Sequence, residues 1–171
     1  MLELLEDERE ALRVVRSALD VDWQLGAKLA GKVKLEWQEK TISFVQALEL
    51  PQMLKIHLLG VTRSEAAILA LIELLKDEDS NVRRSVTYEF GKIGLDAAIP
   101  ALIGLLQDED SNVRESATYA LDEIGSDAAV SVLIELHKKS DSNVRRSVTY
   151  EFSKIDLDTD ILGLIELLKD E

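Results

Sequence analysis

The phrase Asp79-Ser-Asn-Val-Arg-Arg-Ser-Val-Thr-Tyr-Glu-Phe90 returns letter for letter at Asp141 to Phe152. A close variant, Asp110-Ser-Asn-Val-Arg-Glu-Ser-Ala-Thr-Tyr-Ala-Leu121, stands midway, so each step is 31 residues. A second phrase, Ile72-Glu-Leu-Leu-Lys-Asp-Glu78, comes back three periods later as Ile165 to Glu171. A helical period of about 20–50 residues is the mark of a stacked array. A single helix pair cannot bury its apolar faces alone, so each unit must pack on its neighbours. The expectation is an all-α fold, a right-handed α-α superhelix.

Within each unit the apolar positions fall three and four apart, which puts them on one helix face. The first helices start near Glu65, Asp96, Asp127 and Asp158. Their columns are Ile68, Ile99, Val130 and Ile161; Leu71, Leu102, Leu133 and Leu164; and Leu74, Leu105, Leu136 and Leu167. Ser64 reads as an N-cap, and Asp96, Asp127 and Asp158 as caps or first-turn acids. Pro100 lies early in its helix, where a missing donor matters little. Polar linkers follow, with Ser80, Ser111 and Ser142 as candidate caps of the second helices. Those bury Val82, Val86, Phe90 and Ile93, then Val113, Ala117, Leu121 and Ile124, then Val144, Val148, Phe152 and Ile155. Gly94 and Gly125 suit helix ends. The division is therefore residues 64–171 in repeats, three full (64–94, 95–125, 126–156) plus one unpaired helix (158–169). That last helix is expected to expose core surface, either because the chain is part of a longer protein or because a second copy covers it.

Residues 1–63 are less regular. One helix is expected over Met1 to Leu19, a turn at Asp20 to Asp22, a short helix from Trp23 to Ala30 and another from Leu35 to Leu48. Pro51 is expected at the first position of a further helix that Gly60 closes in the left-handed conformation. The segment reads either as two degenerate helix pairs or as a separate helical cap, and Trp23 and Trp37 as core or cap residues.

The chain has no cysteine, which removes disulfides and thiolate chemistry. No run approaches the ~18 apolar residues of a membrane helix, and the acidic start is unlike a signal peptide. The expected location is cytoplasmic. The net charge is -13, and it is uneven: residues 1–64 carry ten acids and nine bases, residues 65–171 carry 23 and 11. Such a balance argues against nucleic acid, although a local basic patch can survive it. The Asp-Glu-Asp turns at 77–79 and 108–110 lack the alternating ligands of a calcium loop. His57 and His137 lie in different units and form no catalytic or metal-binding pattern. Neither catalytic residues, nor a metal, nor a cofactor is expected.

The run from Val82-Arg-Arg-Ser-Val-Thr-Tyr-Glu-Phe-Gly-Lys-Ile-Gly94 to Asp108 resembles the short HEAT-like repeat of the phycobilisome-lyase type. The resemblance covers residues 64–171. It implies an ARM-type solenoid whose second helices line the concave side. It also implies that Arg83, Arg114 and Arg145 are structural, bonding to neighbouring repeats. Residues 1–63 are similar to the segment that precedes such repeats in large cyanobacterial proteins with a NACHT-type nucleotidase module. No phosphate-binding Gly-x-x-x-x-Gly-Lys-Ser/Thr loop is present here.

The candidate binding residues form a ladder, Tyr88, Tyr119 and Tyr150, turned away from the buried stripe. Arg84, Glu115 and Arg146 stand one turn before it, and Gly91, Asp122 and Ser153 one turn after. Tyrosine offers broad contact with few torsions to freeze, and arginine adds directional bonds. The bland alternative is that the tyrosines only cover neighbouring helices. Glu89 and Glu151 border the apolar stripe and are expected to be either partly solvent-exposed or paired, with Arg83, Arg84, Arg145 and Arg146 as the nearby partners to consider, or else to contact a partner protein. The reading is a protein–protein interaction scaffold without catalysis of its own. Its partner is another protein, or a second copy joined through the open C-terminal end. The alternatives are an accessory subunit of a bilin lyase, and a regulatory or sensor segment of a larger nucleotidase.

Overall fold

The period is realised as helix pairs. The computed structural model describes residues 7–126, 128, 129, 131, 132 and 135. The third full repeat beyond these positions and the expected helix over 158–169 lie outside the described residues. Among the described residues the bounded α-helices follow one another as α1 (Glu8–Val21), α2 (Trp23–Ala30), α3 (Leu35–Gln46), α4 (Gln52–Thr62), α5 (Glu65–Ile72), α6 (Ser80–Ile93), α7 (Ile99–Leu105) and α8 (Ser111–Ile124). A 3-10 turn at Glu73–Lys76 continues α5, and another at Asp96–Ala98 leads into α7. Two layers result. Helices α2, α4, α6 and α8 stack in sequence in one, while α1, α3, α5 and the turn into α7 stack in the other. The chain is an all-α stacked solenoid of the HEAT/ARM type.

Between the layers lies one continuous core. Ile68 and Leu71 of α5 and Ile99, Leu102 and Leu105 of α7 are buried, as are Val82, Val86, Phe90 and Ile93 of α6 and Val113, Ala117 and Leu121 of α8. Truncating a fully enclosed ring such as Phe90 typically removes about 3–5 kcal/mol. The core continues into α1–α4 through Ala11, Val15, Leu19, Trp37, Ile42, Val45 and Ile56. Trp23 departs from the expected core role and is 47% exposed. It opens α2, whose buried face is Gly26, Ala27 and Ala30, small residues that let the backbones approach.

Helix ends show where reading the residues one by one falls short. Asp7 has extended backbone, and its carboxylate accepts from Glu10 N. Helix α1 therefore starts at Glu8, and the earlier part of the expected helix, residues 1–6, lies outside the described residues. Asp22 alone makes the next turn, closing α1 with its N–H on Ala18 O and capping α2 through Leu25 N at 3.0 Å. Pro51 flanks α4 as its N-cap instead of occupying the first helical position. Ser64 caps α5 through Ala67 N. The second helices are capped by Asp79 and Asp110, one residue before the expected Ser80 and Ser111, because the aspartates hold the extended backbone and accept from Asn81 N and Asn112 N. Asp96 makes no cap bond, because Leu95 holds that position, and it stands instead as a first-turn acid, its other expected role. Gly94 and Gly125 are left-handed at φ 69 and 60. The matching residue of α4 is Arg63, φ 51, and not Gly60, which lies buried inside the helix.

Candidate partner-binding face

One offset organises the exposed side of the second layer. Positions 31 apart in α4, α6 and α8 are equivalent, so the left-handed residues are Arg63, Gly94 and Gly125. By the same count His57, Tyr88 and Tyr119 form one row, and Met53, Arg84 and Glu115 another. Tyr88 is 48% and Tyr119 37% exposed. The Lys92 ammonium sits 4.3 Å from the Tyr88 ring centroid, and the Tyr119 hydroxyl donates to Glu123 at 3.0 Å. Arg84 and Glu115 are exposed, while Asp122 is half-buried and has contacts of its own. Gly91 departs from its expected place beside the groove. It is buried against α8, where a Cβ would stand 3.1 Å from Ala120 Cα. Tyr150 and Arg146 lie outside the described residues.

Where α4, α6 and α8 meet, a cleft of about 390 Å³ opens, lined by Met53, His57, Arg84, Tyr88, Glu89 and Ser116 among others. Glu89 is 5% exposed. Its partner is neither Arg83 nor Arg84 but the half-exposed His57, whose Nδ1 lies in hydrogen-bond contact with Oε1 at 3.0 Å. Gly60 makes room for this pair, since a Cβ there would fall 1.9 Å from Glu89 Oε2. The cleft thus has a fixed carboxylate in its floor, an aromatic wall and a cationic rim.

A separate set of bonds fixes the spacing of the helices beneath this face. The buried Arg83 donates through Nε and Nη2 to Asp108 Oδ2 and Oδ1, both at 2.8 Å. Its Nη1 donates to the carbonyls of Asp77 and Glu78. One guanidinium therefore ties its own linker to the next one. The hydrogen bond to Arg83 holds the Asp108 carboxyl below its ordinary pKa, helped by the Asp110 backbone N–H, and raises that of the guanidinium. Arg114 repeats the inner half, donating to the carbonyls of Asp108 and Glu109. Gln52 stands at the equivalent place in α4 and donates to Asp77 Oδ2 at 3.1 Å. Asp77 and Asp108 also accept from the N–H two residues on, so the acidic turns are built to receive these bonds. Among the described residues no three potential ligands gather into a metal site. Arg145 lies outside the described residues.

The family model for HEAT repeats matches residues 54–122, 68–152 and 104–171. This chain is a HEAT-repeat protein. The matches begin inside α4, in agreement with the 31-residue offset that links α4 to α6. No curated protein matches the sequence. The roles of His57 and Gln52 in the HEAT stack escaped a reading residue by residue. Counting 31 back from Tyr88 and Arg83 finds both.

Proposed function

We propose that this HEAT stack is a protein–protein interaction scaffold without catalysis of its own, and that the second layer is the face that holds the partner. Its helices pack on one another more closely along the stack than those of the first layer, which favours the second layer as the concave side. The observation that carries the reading is the row His57, Tyr88 and Tyr119 across three adjacent helices, beside the cleft. By the same count in sequence Tyr150 extends this row and Arg146 the neighbouring one, with Arg84, Glu115 and Asp122 supplying polar contacts. A net charge of -13 favours a protein over a polyanion. A binding arm of this kind also suits the regulatory segment of a larger nucleotidase. Nothing in the cleft favours an accessory role in bilin attachment.

The test compares captured proteins from the source extract for the wild type, Tyr88→Ala/Tyr119→Ala/Tyr150→Ala and a first-layer control, Glu39→Ala. The reading expects a partner held by the wild type and control and lost by the triple variant at unchanged helicity. Equal capture by all three contradicts it. Light scattering on the same samples reports self-association, and a dimer that the triple variant abolishes would make a second copy the partner.

A further inference from the structure

The first layer carries a feature that neither packing nor the second-layer face uses. Arg9, Arg13 and Arg16 lie at i, i+4 and i+7 of α1, on one stripe, in the part of the chain where acids and bases nearly balance. They line a cleft of about 400 Å³ with Leu12, Asp20 and Phe44. All three arginines are exposed, and Leu12 and Phe44 are half-buried. Arg16 stacks on Phe44, 4.5 Å from guanidinium carbon to ring centroid. Among the described residues Arg13 meets only Glu10, at 4.0 Å with both side chains solvated. Arg9 has no ion pair among the described residues. The nearby Glu8 is held by Lys40, leaving Asp20 as the one carboxylate of the lining among the described residues.

Structural arginine in this protein looks different, for Arg83 is buried and bonded on every side. In the α1 cleft, above an apolar floor, the guanidiniums keep most of their donors free of partners among the described residues. Guanidinium matches carboxylate geometry with paired bonds, and the floor of Leu12 and Phe44 can take an apolar side chain. A free phosphate would leave that floor uncovered. We infer that the cleft between α1 and α3 binds an acidic peptide segment of a partner protein, one that places an apolar side chain among its carboxylates. This site is on the opposite layer from the tyrosine row, so it stands whether or not that row binds anything.

The probe is a fluorescein-labelled peptide, Glu-Asp-Glu-Leu-Phe-Glu-Asp-Glu, titrated with the full chain and followed by anisotropy. Saturable binding is expected. It should weaken about tenfold in Arg13→Ala, vanish in Arg9→Ala/Arg13→Ala/Arg16→Ala, and fall with added salt as ion screening requires. The three side chains are exposed, so an unchanged circular dichroism spectrum separates lost binding from lost fold. A peptide with glutamine and asparagine in place of the acids should not bind. The inference is overturned by absent saturation, by equal binding of the neutral peptide, by indifference to the triple variant, or by inorganic phosphate displacing the peptide at equal affinity.

Discussion

Helices α4 and α6 hold equivalent places in the stack and solve the same three problems with different residues. Where α6 has Arg83 reaching Asp108, α4 has Gln52 reaching Asp77, and both pairs span 25 residues. Where α6 ends on Gly94, α4 ends on Arg63, both left-handed. Where α6 sets Gly91 against α8, α4 sets Gly60 against Glu89. The comparison teaches that the geometric requirement outlasts the residue that meets it. A neutral amide replaces a guanidinium, and a strained arginine replaces a glycine.

The sharpest way to break the comparison is to remove the clasps. Arg83→Ala deletes a buried, bidentate partner and should cost about 3 kcal/mol. Gln52→Ala removes one exposed neutral bond and should cost under about 1 kcal/mol. Urea midpoints measure both, and equal losses would mean that the two positions do not differ as described. The pH dependence follows from the direction of the Asp108 shift. Its folded-state pKa is lowered, so its contribution is full above the ordinary carboxylate range and is lost as pH falls through the depressed value. From neutral to strongly acid pH the wild type should therefore lose more stability than Asp108→Asn.

Next in size is Gly60→Ala. The new methyl meets Glu89 and should cost about 2 kcal/mol by overpacking. Glu89→Ala in the same chain should restore more than half of that loss, a coupling that a double-mutant cycle reads directly. Additive losses would show that Gly60 serves something other than the His57–Glu89 pair. Smaller than the Gly60 effect is the helix-end pair. Gly94→Ala should cost about 1–2 kcal/mol, and Arg63→Gly should gain about 1 kcal/mol by relieving a left-handed arginine.

Much of this architecture was legible because it is written in one period. The buried columns at Ile68, Leu71, Val86 and Phe90, the Ser64 cap and the left-handed Gly94 and Gly125 all follow from helical spacing and from what glycine and serine do at helix ends. The misreadings have a common physical cause. Asp79 and Ser80 are both good caps, and only the backbone angle decides between them. Gly60 looks like a helix end on its own, yet the 31-residue count assigns that role to Arg63. The arginines nearest to Glu89 in sequence do not pair with it, and its partner stands 32 residues away on the adjacent helix. In a stack, the neighbour in space is the residue about one period off. The tyrosine row was legible as exposed, but its first member was hidden because a histidine holds the place.

The central claim is that α4 and α6 belong to one continuous stack, so that the face they share is a single surface. Native-state hydrogen exchange across a denaturant series tests it most directly. The account predicts that the slowest amides of α4 and α6 exchange through a common opening with one free energy, and that Arg83→Ala lowers both together. A step at Arg63 and Ser64, with α1 to α4 opening independently of α6 and α8, would contradict it.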